Sequence, residues 1–334
     1  MNRSHVHLLA CPECGSGLSI RSSDEGGPDR VLEGELACNG CALTYPVHGG
    51  VPRFVPPENY AAGFGFQWNT HARTQYDSFN GTRISETRFF AQTRWPRTMS
   101  GELVLEVGSG GGRFTEQIAS TGATVVSLEY SAAVEANFAA NGHRPNVLIV
   151  QADLYRMPLP PASFDRVVCI GVLQHTPDVR KSFLTLPRYL RPGGHLAVDV
   201  YRRPRGVRRL FNTRYWVRPL TRRVPPARLY RLTSGYVRAM WPLARQIGRV
   251  PVVGRKLNWM LLIGSYHGMY DLSDEQMREW AILDTFDMLA PAYDQPQDVE
   301  TVRDWFAEAG LEEVEVHPGY NGIEGRGRRA RTEV

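Results

Sequence analysis

The run Leu103-Val-Leu-Glu-Val-Gly-Ser-Gly-Gly-Gly112 constrains this chain more than any other. Leu103, Val104, Leu105 and Val107 spell a buried parallel strand. Gly108, Gly110, Gly111 and Gly112 then break it, and a helix-like stretch follows from Arg113 to Ser120. A strand that opens into a glycine-rich turn and then a helix lets a ligand approach bare backbone N–H groups. The turn by itself does not name that ligand.

Three carboxylates narrow the choice. A second strand, Ala123 to Glu129, ends in an acid placed to accept hydrogen bonds from two ribose hydroxyls. To this point NAD and S-adenosylmethionine (SAM) fit equally. Glu106, inside the first strand and next to the turn, suits a ligand carrying an ammonium group and would repel a pyrophosphate. A third strand, Val147 to Asp153, ends in an acid within reach of an adenine amino group. A fourth, Ser163 to Ile170, leads into Gly171-Val-Leu-Gln-His-Thr-Pro-Asp178, a helix, and Leu190 to Val198. Strands alternating with helices predict an α/β fold with a parallel sheet covered on both faces.

The motifs fall in one order: glycine turn, acidic strand tip, Asp153 ahead of Met157-Pro-Leu-Pro160, Phe164-Asp-Arg-Val-Val168, Leu173-Gln-His175 and Arg191-Pro-Gly-Gly194. In that order residues 103–201 resemble the core of class I SAM-dependent methyltransferases of the type 11/12 kind. The resemblance implies a Rossmann-like seven-stranded methyltransferase sheet with SAM as cofactor. It implies that Glu106, Gly108, Ser109, Gly110 and Gly112 hold the methionine end and that Glu129 binds the ribose. Asp153 and Leu154 would frame the adenine, Tyr130 would stack on it, and Ile170 with Gly171 would form the floor. His175 follows the fourth strand near the expected methyl position and is the candidate base, since imidazole ordinarily titrates near neutrality. The alternative is a helix-entry turn whose histidine only shapes the pocket. Gln67, Trp68, Tyr76, Tyr201, Tyr266, His267 and Tyr293 are further pocket candidates. Asp284-Thr-Phe-Asp287 with Pro291-Ala-Tyr-Asp294 resembles a stretch of bacterial methyltransferases near surface-glycan or natural-product pathways, and is expected to close over the site.

Cys11-Pro-Glu-Cys14 and Cys38-Asn-Gly-Cys41 form two knuckles separated by 23 residues. Four thiolates so spaced match a tetrahedral Zn²⁺ site. Two disulfides are the competing reading. The first ten residues lack the apolar core of a signal peptide, which points instead to a reducing, cytoplasmic setting. The stretch Cys41 to Phe54 resembles the zinc ribbon of Trm112-like proteins, also found at the N-terminus of some bacterial methyltransferases. Its metal is expected to be structural, because a segment of about fifty residues buries too little apolar surface alone. His48 is a spare ligand candidate, and Cys169 reads as a core residue.

The 334 residues divide into a ribbon (1–57), an aromatic and helical preface (58–100), the SAM-binding core (101–201), a helical insertion after the fifth strand (202–270) and a C-terminal completion of the sheet (271–334). The preface predicts a helix over Thr82–Trp95. The insertion predicts helices over Ala227–Ala239 and Lys256–Tyr266, broken by Pro219, Pro225, Pro226, Pro242 and Pro251. Ser273 with Gln276 predicts a capped helix start, Val299–Ala309 a helix ended by Gly310, and Glu312–His317 and Gly327–Glu333 the last strands. No run is long and apolar enough for a transmembrane segment.

Net charge of +5 conceals a segregation. Between Tyr201 and Tyr270 stand fifteen Arg, one Lys and no acid; the remainder carries 23 basic against 34 acidic residues. Such asymmetry favours an anionic partner. The leading reading is methyl transfer to a small-molecule acceptor (a sugar, glycolipid precursor or secondary metabolite), anionic or lipid-linked, with peripheral membrane contact through 202–270. The alternative is an rRNA or tRNA base methyltransferase, since some bacterial rRNA guanine methyltransferases also join a four-cysteine domain to this fold. Against it, the fourth strand lacks an Asn-Pro-Pro-Tyr type motif. A third reading is a non-catalytic SAM-fold adaptor.

Overall fold

The computed structural model describes residues 1–24, 29–56, 59–206 and 211–331. The expected ribbon boundary at 57/58 and the last residues of the strand expected over 327–333 lie outside the described residues. The N-terminal segment pairs β1 (Leu18–Asp24), β2 (Glu33–Cys38), β3 (Thr44–His48) and β4 (Val51–Pro52) antiparallel in chain order. Leu9, Leu18, Val31, Leu36 and Val47 are buried beneath it. Three helices follow: α1 (Ala62–Thr70), α2 (Asp77–Asn80) and α3 (Ile84–Thr93). The last stops short of the expected Trp95 because Arg94 turns to φ +56° and Pro96 cannot continue a helix.

The alternating core then runs β5 (Leu103–Val107), α4 (Arg113–Ser120), β6 (Thr124–Glu129), α5 (Val134–Asn141), β7 (Val147–Gln151), β8 (Phe164–Cys169), α6 (Val179–Thr185) and β9 (Leu190–Val200). The insertion contributes α7 (Arg214–Thr221), α8 (Pro226–Gly248) and α9 (Gly254–Met260). The chain completes the fold with α10 (Asp274–Leu289), α11 (Val299–Glu308), β10 (Leu311–Gly319) and β11 (Gly322–Arg329). The sheet order is β10-β11-β9-β8-β5-β6-β7. β5 to β9 pair in parallel, and β11 runs antiparallel to both its neighbours. Near-continuous apolar runs suit strands covered on both faces, and every residue of β7 is buried. The seven-stranded α/β sheet with an N-terminal ribbon is the expected architecture. Strand order reverses between β5 and β8, so a crevice opens beyond their carboxyl ends.

Several details differ from the sequence reading, among them α9, which spans Gly254–Met260 where Lys256–Tyr266 was expected. β7 stops at Gln151, and Asp153 instead caps a 3-10 turn, accepting a hydrogen bond from Tyr155 N at 2.9 Å. α8 runs 23 residues straight through Pro242, held by Val237, Trp241 and Ala244, which are buried in one cluster with Met277 and Ala281 of α10; Pro219 likewise sits inside α7. α10 continues to Leu289, so Asp284 and Asp287 reach the site from a helix. β11 starts at Gly322 because Tyr320-Asn321 makes a two-residue hairpin with Gly319 opposite Gly322.

The ribbon is joined to the edge strand β7. Arg53 bridges Gln151 in parallel, and Phe54 N donates to Gln151 O at 2.8 Å. The Arg53 guanidinium donates to the Gln151 side chain (2.8 Å) and to Glu135 (2.7 Å). Val51 is buried in the same core as Val125 and Val147. An edge strand that would otherwise offer free amides is thereby covered.

Candidate active site

Where β5 ends, the backbone turns into left-handed conformations at Gly108 (φ +77°) and Gly112 (φ +91°). A Cβ on Gly108 would stand 2.3 Å from Val172, and one on Gly112 would stand 2.2 Å from the Asn137 amide oxygen. Only glycine meets both demands. Glu129, at the tip of β6, fixes the turn: one oxygen accepts from Gly110 N at 2.9 Å, the other from Ser131 N at 2.8 Å. Asn137 donates to Ser109 (3.0 Å), Thr115 (3.1 Å) and Ser127 (2.9 Å) beneath the turn.

Beyond the turn lies a cavity of about 420 Å³. Of the residues expected at a cofactor, Gly108, Ser109, Gly110, Glu129, Tyr130, Asp153, Leu154, Ile170 and Gly171 line it, and Glu106 and Gly112 do not. Glu106 is buried under the turn, accepting from Thr115 Oγ1 (2.5 Å) and Ser127 Oγ (3.2 Å), with its other oxygen unpartnered. Burial pushes its carboxyl up to about 7. Gly112 is required by packing against Asn137, not by a wall position. At one end of the cavity the Tyr60 and Tyr130 rings lie 5.0 Å apart near Asp153 and Leu154. The floor is held by Asp199, a fully buried acid that sequence reasoning missed. It accepts from Gly171 N (2.5 Å), Gln92 Nε2 (2.8 Å) and Arg88 Nη2 (3.1 Å).

His175 also lines the cavity, in a 3-10 turn between the rings of Phe64 (5.2 Å) and Tyr201 (5.3 Å). Its Nδ1 lies 2.9 Å from the Tyr293 carbonyl. A carbonyl only accepts, so Nδ1 carries a proton, and in the neutral ring the free lone pair is that of Nε2. Gln67, Trp68, Tyr76, Tyr201 and Tyr266 stand on the wall as expected. His267 does not; it stacks on Trp241 and bonds Ser265. Tyr293 contributes its carbonyl rather than its ring.

The far wall joins the insertion to α10. Tyr266 donates to Asp284 at 2.6 Å, and Arg214 lies 5.2 Å from the Tyr201 ring centre. Burial pushes the Asp284 carboxyl up to about 7; the Tyr266 hydrogen bond opposes that shift and the Asp287 charge reinforces it. Arg113 sits 4.5 Å from the Phe114 ring centre with no ion-pair partner among the described residues. Its guanidinium is lowered to about 10, by burial first and then by the charge of Arg88. Arg88 and Arg113 gave no signal in the sequence, because their side of the cavity is assembled from α3, α4, α10 and the β10–β11 turn.

The sulfur atoms of Cys11, Cys14, Cys38 and Cys41 all lie within 4.8 Å of one another, the closest pair 3.3 Å apart. A tetrahedron of Zn–S bonds near 2.3 Å has edges of about 3.8 Å, so the donor set fits zinc. Gly40 N donates to Cys38 Sγ at 3.3 Å, as a knuckle turn should. No disulfide joins any of the four. His48 is turned to Glu33 (2.8 Å) instead.

Residues 105–198 match the family model described as a methyltransferase domain, and residues 2–50 match that of a Trm112p-like protein. The ubiquinone biosynthesis O-methyltransferase of Xylella fastidiosa is 27% identical over 150 residues, covering 44% of this chain and 58% of that protein. The enzyme of the same name from Thiobacillus denitrificans is 32% identical over 108 residues, covering 30% of this chain and 46% of that protein. The matched region thus spans about half the length of these curated relatives. Among solved structures, phosphoethanolamine N-methyltransferase 2 of Haemonchus contortus aligns at a TM-score of 0.42 and 15% identity, over 83% of this chain and 48% of that one.

Proposed function

We propose that this chain, which joins a Trm112-like zinc ribbon to a class I methyltransferase core, moves the methyl group of SAM onto a small-molecule acceptor such as a sugar, a glycolipid precursor or a secondary metabolite. One observation carries the reading. A single cavity runs from the Tyr60–Tyr130 end, past the glycine turn and His175, to a wall of aromatic and charged side chains supplied by the insertion and α10. SAM, when bound, supplies a methyl group on a cationic sulfonium. Asp153 keeps an oxygen for an adenine amino group, and Glu129 keeps lone pairs for ribose hydroxyls while holding the turn. The residues on the wall suit that donor; of those expected to hold it, Gly112 serves the turn by packing on Asn137, and Glu106 acts from beneath by fixing Thr115 and Ser127.

His175 is the catalytic residue of this reading. Its Nε2 lone pair takes the acceptor proton as the acceptor oxygen or nitrogen attacks, and the Tyr293 carbonyl locks that tautomer. Tyr201 and Phe64 fix the ring on both sides, leaving little orientational freedom to lose at the moment of transfer. The zinc supports the ribbon, and a four-thiol site suits a reducing, cytoplasmic setting.

Labelled SAM incubated with the protein, fractionated cell extract and total RNA tests the reading. Label is expected in a small-molecule fraction. Label in RNA with a steep salt dependence shifts the assignment to a base methyltransferase. His175→Ala is expected to lower turnover about a hundredfold while leaving S-adenosylhomocysteine affinity within a few-fold. Unchanged turnover removes His175 from the mechanism.

A further inference from the structure

The insertion has two sides. Inward, Arg214, Trp259 and Tyr266 line the cavity. Outward, Phe211, Trp216, Leu220, Leu232, Leu243 and Val252 are each at least half exposed, Val252 at 85%. Scattered apolar residues on a surface need no explanation; these are ordered. At about 100° per residue, Leu232, Tyr236, Ala239 and Leu243 fall in one strip of roughly 60° along the exposed half of α8. A quarter to a third of a turn around the same helix run Arg231, Arg238 and Arg245 at seven-residue spacing, all exposed, Arg245 paired with Asp274 at 3.9 Å. The Tyr236 hydroxyl donates to the Leu261 carbonyl at 2.5 Å, and Thr213 donates to the Met260 carbonyl at 2.8 Å. The first bond brings the exposed Leu261, just past α9, against the strip with Leu257 one turn before it, and the second holds the start of α7 to the end of α9. At the tip, Val250, Pro251, Val252 and Val253 are all exposed, between Arg249 on one side and Arg255 with Lys256 on the other.

Most of the charge of this face is uncompensated. Residues 201–270 hold sixteen basic side chains and no acid. Arg222, Arg223, Arg228, Arg231, Arg238 and Arg249 have no carboxylate partner among the described residues; the ion pairs of α7 and α8 there are Arg218–Asp294 and Arg245–Asp274. A surface that only follows phosphates along a nucleic acid needs cations and gains nothing from Trp216, Leu220 and Val252 in water. An interfacial surface needs both: apolar side chains seated at the boundary of headgroups and acyl chains, with arginines at lipid phosphates. No helix among the described residues is long and apolar enough to cross a membrane, so the contact is one of lying on the surface.

We infer that the outer face of α7, α8 and α9 docks on an anionic lipid bilayer, with the α8 strip and the 250–253 tip inserted and the arginines at the phosphates. The docking stands on this surface alone and does not depend on methyl transfer. If both hold, the helices roofing the cavity rest on the membrane, and the acceptor is an amphiphile drawn from it.

Flotation of the full chain with vesicles of phosphatidylcholine, with and without phosphatidylglycerol, tests the inference. Co-flotation with the anionic vesicles and not with the neutral ones is expected, weakened at high salt. Val252→Asp with Val253→Asp, and separately Arg231→Gln with Arg238→Gln, are each expected to lower partitioning at least tenfold. Unaltered melting and S-adenosylhomocysteine binding show that these exposed changes leave the fold intact. Equal binding to both compositions, or to neither, overturns the inference. So does a Val252/Val253 variant that binds as well as the wild type, which marks a purely electrostatic surface for polyanions such as RNA. A dimer in light scattering that the valine changes dissolve also overturns it, since a second copy would then cover the face.

Discussion

The ribbon and the insertion are both additions to one seven-stranded sheet, and they are fastened in opposite ways. The ribbon meets β7 through backbone pairing at Arg53 and Phe54, an ion pair to Glu135 and a shared apolar core. The insertion packs its inner side on α10 but leaves an apolar and basic outer side open. The first arrangement resembles a domain core and does not need to move or to meet anything else. The second resembles half of an interface. On the proposed reading the ribbon stands at the donor end of the cavity, since Gln151 of β7 also donates to the Tyr130 carbonyl at 3.2 Å, and the insertion at the acceptor end.

The strongest test of that division removes the metal. A structural zinc site contributes on the order of 10 kcal/mol to the fold around it. Cys38→Ser with Cys41→Ser, or chelation, is therefore expected to unfold β1 to β4 and uncover the edge of β7. Metal content, thermal unfolding and a titration with S-adenosylhomocysteine read the three consequences. The last is the informative one: affinity is expected to fall at least tenfold, because Tyr130 and Asp153 lose the strand that positions them. Unchanged affinity after zinc loss would break the comparison and leave the ribbon without a role at the donor end.

A change on the inner side of the insertion should do the reverse. Trp259 lines the cavity from α9, and its indole N–H donates to the Ser265 carbonyl at 3.3 Å. Trp259→Ala removes a large wall of the acceptor end and touches none of the residues around the glycine turn. The rate at sub-saturating acceptor is expected to fall roughly ten- to hundredfold, with donor affinity within twofold, since one well-filled aromatic contact is worth about 1.4–3 kcal/mol. Loss of donor affinity of the same size would show that the two ends are not separable.

How far each end could be read from sequence follows the same line. The donor end is local: strand, glycine turn, helix and three acids at strand tips lie within residues 103–153, and period and spacing reveal them. The cysteine knuckles are local too. One acid stands away from the wall where it was expected and one reaches it from a different element. Asp153 lines the cavity but caps a turn two residues beyond its strand, and Glu106 faces down into Thr115 and Ser127 because side chains alternate across a strand. The acceptor end is non-local. Arg88, Arg113, Asp284 and Tyr320 come from four elements, and nothing in their separate neighbourhoods says that they meet. Pro242 misled for a related reason: local propensity argues for a break, and burial of Val237, Trp241 and Ala244 outweighs it.

The smallest expected effect is a pH dependence that one substitution assigns. Burial holds two carboxyls up at about 7, Glu106 beneath the glycine turn and Asp284 on the far wall. Asp284, at the acceptor end, has its carboxyl held up at about 7 by burial, against 3.8 for an unperturbed aspartate. A folded-state value above the unfolded one means the folded chain keeps a proton that the unfolded chain has released. Below about pH 4 both states are protonated and the group does not weigh on folding. As pH rises from 4 through 7 the unfolded state ionises first, and stability falls until the folded group also titrates. The fall is on the order of 1–2 kcal/mol once the water in the cavity is allowed for. Asp284→Asn is expected to flatten that slope, so the variant gains on the wild type at pH 8 and not at pH 4 when melting is followed across the range. Tyr266→Phe removes the hydrogen bond that stabilises the ionised carboxyl, and should move the end of the fall to higher pH. Because Glu106 is held up at about 7 too and adds its own decline, the difference between wild type and Asp284→Asn is the diagnostic reading: equal slopes between pH 4 and 7 would show Asp284 ionised in the folded chain.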